Sequence, residues 1–128
     1  MKIVVVIARI LLGLAFFVFG LNGFFHFMPN PPPTPAAGAF FGALINTHYM
    51  FFLIFGTQVL GGALLLLGIA VPFALVILAP VVVNIFCFHL FLSPDLLVMA
   101  IVVAAIELFL AWYYRAAFMP LFSTPPST

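Results

Sequence analysis

The sequence predicts an all-α polytopic membrane protein: a bundle of four transmembrane helices, with a short interfacial or re-entrant helix between the first and the second. Three observations carry that prediction. Hydrophobic residues make up 68% of the chain and charged residues 4%, with a mean hydropathy of +1.47, so no charged, water-soluble surface can form. Apolar runs long enough to cross a hydrocarbon core recur along the chain. Proline- and glycine-bearing breaks separate them. At 128 residues the chain is one integral membrane domain, 1–128, and a net charge of +1 argues for neither nucleic acid nor an acidic substrate. Cys87 is the single cysteine, which excludes an internal disulfide and any CxxC redox or zinc motif. Its apolar flanks suggest an inert, buried thiol.

The first span covers residues 3–25. Lys2 followed by an apolar run imitates a signal peptide, but the run is long and no small-x-small cleavage site follows, so an uncleaved first helix is expected. At helical spacing Arg9, Gly13, Phe16, Gly20 and Gly23 share a face, which makes a close helix contact around a charge. Next comes HFMPNPPPTP, whose prolines at 31, 32, 33 and 35 favour an extended connection. Ala36–Asn46 is apolar but too short to span, and should lie over the mouth of the bundle.

The second span, 48–67, carries Thr57 and Gln58 near its centre and Gly61-Gly62 one turn on. A tight turn at Gly68–Val71 leads into the third, 72–91, with Pro72 suited to a first helical turn. Pro80 inside it removes a donor to the Val76 carbonyl and should kink the helix, where the Asn84 amide could bond across the bundle or repair the backbone. Ser93-Pro94-Asp95 resembles a capped turn ahead of the fourth span, 96–114, and the tail is expected to lie on the surface.

Glu107 is one of only two acids and falls with Ala100, Ala104 and Ala111 on one small-residue face of the fourth span. An ionised carboxylate at this depth needs a cation, hydrogen-bond donors, water or a proton. The Arg9 face is the expected partner of the Glu107 face, because both residues lie about 10 Å into the cytoplasmic half, with Gln58 somewhat higher. Arg9, Gln58 and Glu107 thus form the candidate polar core. One reading is a buried ion pair that fixes helix register; the other is a pocket for a quinone head group, or a proton path. His26, His48 and His89, with Asn22 nearby, gather toward the opposite mouth. Histidines from different helices can hold a metal or haem, but these lie at helix ends, where hydrogen bonding at the interface is the commoner role, so no metal is assigned.

Lys2, Arg9 and Arg115 lie toward the end that holds both termini, and Asp95 toward the other, so both termini are expected in the cytoplasm. Trp112, Tyr113 and Tyr114 suit that interface.

ARILLGLAFFVFGLNGFFHFMP, VLGGALLLLG, LAPVVVNIFCFHLFL and ELFLAWYYR together resemble the DoxX-like family of small four-helix bacterial membrane proteins, across Ala8 to Leu121. The resemblance implies a bacterial inner-membrane location. By position, the family pattern has an arginine matching Arg9, an asparagine in the GLN segment matching Asn22, a histidine-containing segment matching Asn84 and His89, and an acid in the last span matching Glu107. Asn22, Asn84 and His89 become candidate ligand-binding residues. Many relatives carry a glutamate before the second-span GG where this chain has Gln58; hydrogen bonding to a ligand carries over there, and an ionisable role does not. The family takes its name from a subunit of an archaeal thiosulfate:quinone oxidoreductase, which links it to membrane redox chemistry and makes quinone the one cofactor considered. No dinucleotide fingerprint, cysteine cluster or haem-attachment motif occurs in the sequence, so no catalytic residue is assigned. The expected function is a small accessory subunit or partner of a larger respiratory or redox-linked membrane assembly. The alternatives are a quinone-interacting oxidoreductase subunit with Glu107 as proton relay, and a transporter of a small neutral or lipid-like molecule.

Overall fold

A computed structural model describes residues 1–27 and 33–123. Part of the proline-rich connection, 28–32, and the tail from 124 onward lie outside the described residues. Four long apolar helices form an up-and-down bundle: α1 (Lys2–Phe25), α3 (Met50–Leu67), α4 (Val71–Phe91) and α5 (Leu97–Tyr113), with the short α2 (Pro35–Asn46) between α1 and α3. A short α6 (Arg115–Phe118) and a 3-10 turn (Met119–Phe122) follow at the end that carries the N-terminus. No strand occurs among the described residues.

The tightest seam joins α1 to α3. A Cβ on Gly13 would come within 2.9 Å of Leu65 Cβ, one on Gly20 within 2.9 Å of the Val59 nitrogen, and one on Gly23 would overlap the Phe55 ring. As α1 ascends, its neighbours on α3 descend, so the two helices are antiparallel. Glycines let the backbones meet, and in a bilayer close van der Waals packing of this kind is a main source of helix association. Arg9 and the glycines of that face therefore pack chiefly on α3, with α5 a lesser neighbour of α1, where the small-residue pattern suggested the Glu107 face of α5. Leu12, Phe16, Leu65, Leu75, Leu78 and Leu110 fill the core between the helices.

The α3–α4 hairpin turns on Gly68, which ends α3 in the left-handed region (φ 71) and donates its N–H back to Leu65. Gly61 lies against Leu78 across this hairpin. α4 runs through Pro80 as one helix. The α4–α5 turn is a single 3-10 turn, Pro94–Leu96, but the Ser93 side chain makes no capping bond, contrary to the sequence expectation.

Pro35 does not break a helix but starts one, at the position where its missing N–H is harmless. Thr34 supplies the cap: its Oγ1 accepts from Ala37 N at 3.2 Å and donates to Leu92 O at 2.7 Å. With Phe88 packed against Phe40 and Phe41 at centroid distances of 5.5 and 5.0 Å, this bond ties α2 across the end of α4. Thr34→Val removes both bonds and is expected to weaken the docking of α2 by about 1–2 kcal/mol. In hydrogen exchange the α2 amides should then exchange faster while those of the α1–α3 seam do not change; equal protection of α2 in both proteins would contradict the tether.

Candidate functional site: a divided polar core

Among the described residues four polar side chains are buried: Gln58 and Glu107 at 6% exposure, Asn22 and His89 at 8%. Ala100 and Glu107 both face inward, as the small-residue stripe of α5 predicted. Arg9 is half-buried. Its guanidinium lies against Gly68, close enough that a Cβ there would collide with Nη1. That position is the C-terminal end of α3, where the helix dipole is negative and a cation is favoured. Arg115 uses the same principle on α5, donating from Nη1 to Trp112 O at 2.8 Å and stacking 4.7 Å over the Trp112 ring.

Register separates Arg9 from the rest. Gly20 faces Gln58 and Arg9 faces Gly68, so about 16 Å of helix rise divides the two levels. Equal rises either side of the α4–α5 turn bring Glu107 level with Val81, and the Gly61–Leu78 contact brings Val81 level with Gln58. Glu107 therefore shares its level with Gln58 and Gly20. Among the described residues no ion pair joins Arg9 to Glu107: Arg9 Nε and Glu107 Oε1 are both buried without a hydrogen-bond partner. The single Arg9–Gln58–Glu107 cluster expected from depth counting is, in the fold, an arginine at a helix end and a Gln–Glu level in the interior of the spans.

The histidines also divide. His89 is held by the turn that follows it, its Nδ1 lying 3.1 Å from Ser93 O. His26 and His48 are exposed and line one cleft of about 370 Å³ with Ile45, Phe51 and Phe52. Both stand at positive φ just past helix ends, where left-handed residues close the last turn. Among the described residues no group of three or more His, Cys, Asp or Glu is placed to hold a metal. A smaller cleft of about 220 Å³ lies beside Lys2, Ile3, Val6 and Ile7. None of Arg9, Gln58 and Glu107 lines either cleft.

Two residues on α4 differ from their expected surroundings. Cys87 is exposed, not buried. Asn84 is exposed too, turned away from the bundle, so it neither bonds across the core nor mends the backbone at Pro80.

Four apolar helices of spanning length, with a shorter apolar helix between the first two, define a multi-pass membrane protein. More narrowly, residues 4–90 match the DoxX family model, and the chain belongs to the DoxX family. The match takes in Arg9, Asn22, Gln58, Asn84 and His89, and ends before Glu107. No curated protein and no solved structure matches the chain significantly.

Proposed function

We propose that this DoxX protein is a small accessory subunit of a larger bacterial inner-membrane assembly, respiratory or redox-linked, with both termini in the cytoplasm. The observation that carries this reading is the exposure of the last span. Pro94–Tyr113 buries 17% of its hydrophobic window within the chain, the lowest share of the four, against 33% for α1. With Glu107 turned inward, Val98, Ile101, Ala105, Leu108 and Trp112 form the opposite, outward face. Ala105 at its middle lets a partner helix approach closely, and Trp112 with Arg115 anchors its end.

Ala105→Trp tests the docking face. The variant should fold as the parent does, within about 0.5 kcal/mol by thermal unfolding, since Ala105 is exposed. Its recovery in the high-mass assembly on native gels should fall roughly tenfold. Unchanged recovery would mean that α5 is not the docking helix.

A second reading is favoured by Glu107 Oε1, buried without a partner on the level of Gln58. In a quinone-interacting subunit, Gln58 would hydrogen-bond the head group and Glu107 would hold or release the proton that accompanies its change of redox state.

A further inference from the structure

The outward face of α4 carries a polar group that lipid cannot satisfy. Phe73, Val76, Pro80, Asn84, Cys87 and Phe91 are all exposed, and at 100° per residue they fall on one narrow stripe. Asn84 lies about 10 Å along the helix from its Phe91 end, inside the hydrocarbon region. Its carboxamide has two donors and an acceptor, and no hydrogen bond joins it to the described residues of its own chain. At that depth acyl chains offer no partner, and an unpaired amide there is strongly disfavoured.

We propose that this stripe is a two-fold contact with a second copy of the chain, closed by an Asn84–Asn84 hydrogen-bonded pair. Copies inserted with the same topology place their α4 helices parallel across an axis along the membrane normal. Such an axis sets each residue opposite itself. A carboxamide is its own complement, donor to acceptor and acceptor to donor, so the symmetric pair satisfies the one polar side chain on the stripe and fixes its register. A different partner would need a complementary polar group at the same depth; a second copy supplies it by symmetry. The face is distinct from that proposed for the accessory role, because α4 makes this contact and α5 the other.

Cys87, the chain's only cysteine, lies on the same stripe one turn beyond Asn84 and reports the contact without further engineering. In native membranes a short bis-maleimide should join two copies through Cys87, giving a product of twice the 14.0 kDa chain mass. Single-molecule photobleaching of labelled chain in vesicles should show two-step traces. Asn84→Leu should weaken self-association about tenfold, with thermal unfolding unchanged in detergent dilute enough to keep the chain monomeric, and Asn84→Gln should restore part of the association. Single-step traces for the parent chain, or a Cys87 cross-link to another polypeptide in place of a second copy, would overturn the proposal. Ala105→Trp should not alter the Cys87 cross-link, so failure of the α4 contact and failure of the α5 docking face are read separately.

Discussion

Gly62→Val is expected to keep the bundle from closing. A Cβ at Gly62 would lie 2.5 Å from the backbone nitrogen of Phe17 and 2.8 Å from the carbonyl oxygen of Gly13. Both obstacles are backbone, so no rotamer change relieves them, and the helices have to separate along the seam that organises the fold. Overpacking of this kind costs about 3 kcal/mol or more, at the high end for single substitutions. Thermal unfolding in detergent and protease resistance report it directly: the variant should lose its cooperative transition or show it at much lower temperature. Gly56→Ala is the matched control, because a Cβ there meets nothing within 4 Å. It should be neutral or slightly stabilising, since alanine restricts the unfolded chain. If Gly62→Val and Gly56→Ala unfold alike, the α1–α3 seam does not organise the fold.

The second large effect is expected at Gly68. Its φ of 71° is costly for any side chain and most of all for a β-branched one. A Cβ would also displace the Arg9 guanidinium. Gly68→Val should therefore destabilise the protein by about 2–3 kcal/mol. Arg9→Ala in the same background should recover only part of the loss, because the backbone strain remains. Unfolding free energies of the two single variants and the double variant separate these contributions. Strict additivity would mean that Arg9 and Gly68 do not share the space the structure gives them.

The spans were legible because length and hydropathy suffice to define a transmembrane helix, and Pro35, Gly68 and Pro94 mark where helices start or stop. The seam was half legible. Gly13, Gly20 and Gly23 announce that a helix comes close, but any small or yielding surface will accept them, and only the fold shows that α3 is the one that does. Rotational phase was the hardest feature to read. In a water-soluble helix, polar residues mark the outside; on α4 the lipid and the core are equally apolar, so nothing in the sequence showed that Asn84 and Cys87 turn outward. Glu107 was read correctly as inward-facing because a charge gives a helix a phase that leucine and valine do not. Its pairing with Arg9 was not, because α1 sits on α3 with Arg9 against Gly68, a register that depth counted from the start of α1 alone does not contain. Arg9 also has a long side chain, and it reaches the end of α3 instead of the centre of the bundle. His89 had an available signal, since Ser93 lies four residues on at a helix end, where a turn carbonyl faces back toward the imidazole.

As the accessory subunit proposed above, the chain works as part of a larger membrane assembly. Gentle detergent extraction of the native protein, followed by native mass measurement with quantification of bound quinone in the same sample, tests that role most directly. The chain should be recovered, singly or as the pair inferred above, in fixed stoichiometry with other membrane proteins and without stoichiometric quinone. Recovery of the chain free of other proteins, with one quinone bound and lost on Glu107→Gln, would contradict that role and make the Gln58–Glu107 level a reactive site.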